Sequence, residues 1–493
     1  MGPVDETPLL LGIDVGTSEV KVVAVNAAGD TIRSAACAVS STAWEPGFVE
    51  QQPEEWVEAT TKAVREVMGS DGQSPLDGAR VAGLALSGHM QDTILVTVGG
   101  PKGGAALRPA ILYTDTRATQ QADKAEAVLG AAYLQEVLGT WTGASSCLAK
   151  LLWLSEHEAP SLAEADAVLL GAHSFLCLRL CGTLAADSVC ASTTGLLDIR
   201  APPALSAPPA SAVPSYTPEG TAEVGSCWAT EILEKLGLAS AVSKLPPLLP
   251  TTRPAGSLLP EAAMELGLPA GLPVFHAMGD VGATTLGAGC GGYGGQGRGY
   301  LYIGTSGWAA TSAFSTQKAL RAPFEMPDFD RAPLHFSVVM EGVCHSLAIL
   351  LGALPGGGGG GGGECAGGVD GALRVVGGGT RSKVMMQTLA DVTGRRLEVV
   401  AHGPQVAARG AALLAAVGLG WFAPGLSKEG GSEAAAPPGW FESAEVYEPR
   451  LGEDGQVLEV HRHMLSAARG ALPALRDTFR ILAAARGAEA LQE

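Results

Sequence analysis

Positive charge is scarce in this chain, which sets 32 Lys and Arg against 50 Asp and Glu over 493 residues, for a formal charge of −18. The few cations are scattered, and a polyanion needs a basic stripe, so a nucleic-acid partner is excluded. The nine cysteines form no CxxC and are odd in number. That excludes a disulfide framework, gives no cysteine-based zinc motif and fits free thiols in a reducing compartment. No apolar run is long enough for a membrane span, and "MGPVDETPLLLGID" enters a strand without the basic region or cleavage site of a leader. The expected location is the cytoplasm, with no membrane partner. No lysine follows a glycine, which excludes a Walker A loop, and the absence of GxSxG excludes a hydrolase nucleophile elbow. "GAGCGG" at 287–292 fits GxGxxG in letters, yet it closes a helix instead of joining a strand to one, so it is no dinucleotide fingerprint. His461 and His463, two apart in a polar tail, read as exposed surface.

What is present is apolar material for sizeable cores, 46% of the residues, and 67 glycines for tight turns. A length of 493 residues exceeds what one core usually serves, so two domains are expected. "LLLGIDV", "EVKVVAV" and "TIRSAACAV" read as an opening β-meander. "PEEWVEATTKAVREVM" reads as a helix, with Pro53 at a first helical position and Glu54 and Glu55 at its positive end. "LRVV" runs into Gly377, Gly378 and Gly379, after which "SKVMMQTLADVTG" reads as a helix closed by Gly394. Strands and helices mix throughout, so the class is α/β. Residues 201–214, eight consecutive glycines at 356–363 and "EGGSEAAAPPG" at 429–439 read as loops or connectors.

Two stretches carry chemistry. "GIDVGTSEVKVVAV" and "LYIGTSGWAATSA" each put Gly-Thr-Ser between strands, Gly16, Thr17 and Ser18 in one and Gly304, Thr305 and Ser306 in the other. Glycine admits an oxygen close to the backbone while hydroxyls and free N–H groups donate to it, so such a turn serves as a phosphate clamp or as a plain polar hairpin. "VFHAMGDVGATTLGAG" sets one acid, Asp280, among small residues at a helix start. Either it caps that helix or it is a base with room for a substrate beside it.

With these residues in place the chain resembles the FGGY carbohydrate kinases, most of all their xylulokinase branch. "GIDVGTSEVK", "LSGHMQD", "ILYTDTRA", "CLAKLLWLSEHE", "GDVGATTLGAG", "IGTSG" and "VVGGGTRSKVMMQTLADVTGRRL" match family segments in family order. The resemblance implies two actin-like, ribonuclease H-like domains of the sugar kinase, actin and chaperone ATPase type, at 8–290 and 298–480, with sugar and ATP meeting in a cleft between them. It implies transfer of the γ-phosphoryl group of ATP to a sugar hydroxyl, with D-xylulose to D-xylulose 5-phosphate as first choice. Another ketose, polyol or aldonate, or a degenerate relative that only binds sugar or nucleotide, stays open, as does a homodimer.

The resemblance also assigns roles. Asp280 is the catalytic base and, with Asp14, holds Mg²⁺. His89, Met90, Gln91, Asp115 and Arg117 contact sugar together with Asp280. The two Gly-Thr-Ser turns take the phosphates, and Gly378, Gly379, Ser382 and Lys383 take the adenosine side. Trp153 is expected to pack its helix and Lys150 to meet solvent or the cleft edge. His89-Met90-Gln91-Asp92 stands where xylulokinases usually have Gln-Met-His-Gly, and Tyr113-Thr114-Asp115 where they have Trp-Asn-Asp, so sugar identity is open. Between about 308 and 340 the chain is shorter than the family pattern, so the ATP-side domain is expected to be truncated.

Overall fold

The computed structural model describes residues 7–69, 75–100, 102–140, 142–200, 228–290, 299–304, 307–311, 344, 347, 348, 372–421, 437–467, 469 and 470. The expected loops at 201–214 and 356–363, and nearly all of the expected shortening at 308–340, lie outside these residues. Of the connector at 429–439, only residues 437–439 are described, and they enter a short 3₁₀ turn, Pro438–Trp440.

The chain divides into two compact units. Of the described residues, those between 7 and 290, at 405–421 and at 437–441 fall in the first; those between 299 and 311, at 344, 347 and 348, at 372–404 and between 442 and 470 fall in the second. Residues 405–421 and 437–441 belong to the first unit.

The opening meander forms as read. Strands β1 (Leu9–Val15), β2 (Glu19–Asn26) and β3 (Thr31–Ala38) pair antiparallel, and β6 (Val81–Gly88) runs parallel beside β1. With β11 (Pro254–Ser257) and β12 (Pro273–His276) they make a six-stranded sheet in the order β11-β12-β6-β1-β2-β3. Side chains alternate across it: Leu11, Ile13, Val22 and Leu86 join a core with helices α1 (Pro53–Met68) and α3 (Ala172–Cys181). Leu10, Val23, Ala85 and Phe275 face the other way, into a core with α7 (Val406–Gly418). Helix α1 starts at Pro53, has Glu54 and Glu55 in its first turn, and stops at Gly69, whose φ of 100° only glycine adopts without strain.

A second sheet in this unit, in the order β10-β7-β9-β5-β4, is built from β4 (Thr42–Glu45), β5 (Phe48–Gln51), β7 (Met90–Val98), β9 (Ala110–Ile111) and β10 (Ala167–Gly171), with β8 (Gly104–Ala106) on β7. It packs on α2 (Cys147–His157) and α4 (Ser188–Thr193) through Leu95, Leu148, Leu151, Val168 and Cys190. Helix α5 (Asp280–Gly287) follows β12 and lies against α7 so closely that a Cβ on Gly410 would stand 1.9 Å from the Ala283 carbonyl oxygen.

The second unit has one five-stranded sheet, β14-β13-β15-β16-β17, from β13 (Gly299–Ile303), β14 (Gly307–Thr311), β15 (Leu373–Val376), β16 (Leu397–Val400) and β17 (Ser443–Tyr447). Helix α6 (Lys383–Thr393) covers it with Met386, Leu389 and Ala390, and Gly394 ends the helix in the left-handed conformation, as read from the sequence. Among the described residues no helix is long and apolar enough to cross a membrane.

Candidate active site

The β1–β2 turn, the β6–β7 junction, the loop after β9 and the start of α5 supply one polar cluster in the first unit. Asp14 lies in β1 opposite Lys21 and beside Ser87 of β6. It is 7% exposed, and its Oδ1 has no hydrogen-bond partner among the described residues. Burial lifts its carboxyl above the ordinary value, opposed by the charges of Lys21, His89 and His173.

Asp280 is the first residue of α5; its helix is capped by the backbone of Gly279, without a side-chain cap. The Asp280 Oδ1 accepts a 2.8 Å hydrogen bond from the Val281 N–H. Burial, then the charge of Asp14, push its carboxyl up to about 7, while His89 and the Val281 N–H pull the other way. Asp280 therefore does not cap the helix through its side chain: the Val281 N–H holds one of its oxygens, and burial together with the charge of Asp14 leaves the group titrating near neutrality. Gly279 lies tight against Met90: a Cβ there would stand 2.0 Å from the Met90 sulfur, so Met90 would have to move.

His89, between β6 and β7, is 1% exposed and stands edge-on to Trp56 at 5.1 Å. Its Nδ1 is 2.6 Å from Asp92 Oδ2, while its Nε2 is buried without a hydrogen-bond partner among the described residues. Burial opposes a charge on this ring, but the Asp92 carboxylate lifts it above its ordinary value. Asp92 also accepts the Tyr113 N–H, and the Tyr113 hydroxyl meets Thr17 Oγ1 at 3.0 Å. Hydrogen bonds thus run from the first Gly-Thr-Ser turn through Tyr113 and Asp92 to His89, joining three segments singled out in the sequence. Gly16 closes that turn by donating to the Glu19 carbonyl, and Ser18 stands exposed at its tip. Met90 is buried over Gly279, and Gln91, at φ 65°, donates through Nε2 to the Thr193 carbonyl.

Asp115 and Arg117 are placed differently from a pair open to solvent. Asp115 is fully buried; it accepts from the Val49 and Arg117 N–H groups and from the Arg117 guanidinium at 2.7–3.0 Å. Arg117 also reaches Glu50 at 2.8 Å and lies 4.1 Å over the Phe48 ring and 4.9 Å over Trp153. In this structure the carboxylate ties down its own loop.

Lys150 overturns its expected place at solvent or a cleft edge: it is fully buried, and burial lowers its ammonium below the ordinary value. Its Nζ donates to the carbonyl oxygens of Gln91 at 2.8 Å and Leu112 at 2.6 Å. One cation therefore clamps the His89–Asp92 and Tyr113–Arg117 loops together. A lone lysine in the apolar run "CLAKLLWL" was the signal available for it.

In the second unit, Gly304 follows β13, and a Cβ there would stand 2.5 Å from the Tyr302 ring, which stacks on Trp308 at 3.8 Å. Thr305 and Ser306 lie outside the described residues. Gly377, at φ 98°, and Gly379 lie against Ile303, where Cβ atoms would stand 2.4 Å from its carbonyl oxygen and 2.3 Å from its Cγ2. Gly378 faces open space. Ile303, at the end of β13 just before Gly304, and the triple glycine are therefore neighbours at one sheet end. Ser382 is the N-cap of α6, its Oγ accepting the Met385 N–H, and Lys383 is exposed 3.4 Å from Glu445.

Comparison with known proteins returns the same family at both ends of the chain. The models of the FGGY family of carbohydrate kinases match as an N-terminal domain over residues 9–202 and a C-terminal domain over 309–419, together more than half of the chain. Xylulose kinase of Bacillus subtilis (strain 168) is 28% identical over 303 residues, 60% of this chain and 52% of the relative. The chain spans about half the length of the curated relatives it matches. Among solved structures, xylulose kinase from Rhodospirillum rubrum superposes with a TM-score of 0.68 at 19% identity, over 96% of this chain and 100% of that one. Glycerol kinase from Plasmodium falciparum with ADP gives 0.67 at 15%, over 95% and 98%. These likenesses bear out the fold expected from the sequence.

Proposed function

Given that the chain belongs to the FGGY family of carbohydrate kinases, we propose that it transfers the γ-phosphoryl group of ATP to a sugar hydroxyl, with D-xylulose as first substrate and D-xylulose 5-phosphate as product. The observation that carries this is Asp280, a partly buried acid at a helix start, raised to about 7 beside a second buried acid. Phosphoryl transfer asks for in-line positioning and a group that accepts the proton of the attacking hydroxyl. A carboxylate titrating near neutrality is matched to that task. The Val281 N–H orients one of its oxygens and leaves the other for the hydroxyl.

Asp14 fits a hard cation: its Oδ1 is a buried oxygen without a partner among the described residues, which Mg²⁺ or a water bound to it would satisfy. Asp14 and Asp280 would hold it. Gly16, Thr17 and Ser18 would meet phosphate oxygens, and Gly378, the open position of its turn, the nucleoside side, with Ser382 and Lys383 nearby. What Mg·ATP supplies when bound is the phosphoryl group and neutralisation of its developing charge. His89 Nε2, buried and unpartnered among the described residues, is the first choice for a sugar contact. Lys150 keeps the two loops that bear His89, Gln91 and Asp115 in register.

The test is ADP release from the purified protein with Mg·ATP and a panel of ketoses, polyols and aldonates. Sugar-dependent release, largest with D-xylulose and reduced by roughly 10²–10⁴ in Asp280→Ala, is expected. Sugar or nucleotide binding without any ADP release would make the chain a binding protein instead.

A further inference from the structure

Beneath the acids lies a group of side chains that the kinase reading does not use. His173 is the second residue of α3, Asp187 immediately precedes α4, and His276 ends β12. All three are buried, at 0%, 0% and 1% exposure. His173 Nε2 is 2.9 Å from Asp187 Oδ2, His276 Nε2 is 2.9 Å from Ser174 Oγ, and the two rings are 4.6 Å apart. One donor atom from each of His173, Asp187 and His276 lies within 4.8 Å of the others. The Nδ1 atoms of both histidines are buried with no hydrogen-bond partner among the described residues. Two such nitrogens in one spot are costly and call for an occupant or a different arrangement of the rings.

We propose that His173, Asp187 and His276 form a structural site for a divalent transition metal, zinc by the chemistry of its donors. Two imidazoles and one carboxylate are a set zinc accepts, whereas Mg²⁺ prefers oxygen alone. Tetrahedral zinc with bonds of about 2.0 Å needs donors about 3.3 Å apart, so the present spread closes by movements of about 1 Å, within reach of side-chain rotation. Ser174 Oγ, already beside His276, or a water completes the shell. Burial of all three ligands leaves no open position for a substrate, which makes the site structural. Its ion would pin the end of β12, just before Asp280, to the starts of α3 and α4. The inference does not depend on the kinase reading.

The full-length protein, treated with a chelator and desalted, is loaded with Zn²⁺ or Co²⁺, and bound metal is counted by mass spectrometry after gel filtration. One equivalent is expected, with a Co²⁺ visible spectrum of four-coordinate intensity and no thiolate charge-transfer band, and with a raised melting temperature on Zn²⁺ loading. His276→Ala and Asp187→Asn should each lose the equivalent, while Cys177→Ser keeps it. No retained metal, a thiolate band, or equal retention in both ligand variants would overturn the proposal. The wild-type spectrum and melting shift decide even if a ligand variant fails to fold.

Discussion

At position 280 a carboxylate is held where its ionised form is disfavoured, and activity and stability should respond to pH in opposite directions. The folded-state value of about 7 exceeds the ordinary aspartate value of 3.8, so between these limits the folded chain holds a proton that the unfolded chain releases. The stability this contributes is complete below about 3.8 and is lost as pH rises through about 7. Asp280→Asn should therefore melt higher than the wild type at pH 8, with the difference fading by pH 4, as differential scanning calorimetry would record. The wild-type kcat/KM should rise with pH to a plateau above about 7, its midpoint belonging to the Asp14–Asp280 pair. Asp280 could be singled out because small neighbours and a helix start are local signals. Lys150 was misplaced because its partners are backbone carbonyls 59 and 38 positions away, and no spacing rule in one sequence reports them. Separations of 14 positions between His173 and Asp187 and 102 between Ser174 and His276 fit no spacing rule either.

Between elements, contact is set by missing side chains. Helices α5 and α7 meet backbone to backbone: a Cβ on Gly287 would stand 2.1 Å from the Val406 carbonyl oxygen, and one on Gly410 1.9 Å from that of Ala283. A Cβ on Gly12 of β1 would likewise stand 2.0 Å from the Ala408 carbonyl oxygen. Gly410→Ala must push α5 off α7, so chemical denaturation should show a loss of about 1–3 kcal/mol or more. Because α5 starts with Asp280, kcat should fall with it. Elements with local punctuation were legible: Pro53 and Gly69 bound α1, Gly394 ends α6, and Gly-Thr-Ser separates β1 from β2. The sequence could not tell which partner each glycine admits. Gly379, assigned to the adenosine side, also admits Ile303, whose Cγ2 would stand 2.3 Å from a Cβ there.

Over the whole molecule, the order of the motifs gave the family and the α/β class, whereas the chain path was not legible. A division into 8–290 and 298–480 follows sequence order, yet the described residues at 405–421 and 437–441 belong to the first unit. Helix α7 is apolar on almost every side, so its sequence says only that it is buried, not against which sheet. It covers Leu10, Val23, Ala85 and Phe275. A chain ending at residue 404 should therefore expose that face and aggregate, as light scattering of the purified fragment would show, while the full chain stays dispersed. A soluble, cooperatively melting fragment would contradict this.

The return of α7 also has a meaning for biosynthesis. A ribosome releases the first sheet long before it makes the helix that seals it, and at ordinary elongation rates the interval is on the order of ten seconds. Throughout that time the nascent sheet offers a bare greasy surface to the machinery that attends translation. Slowing translation between the two segments should then reduce the yield of native protein without any change in its sequence.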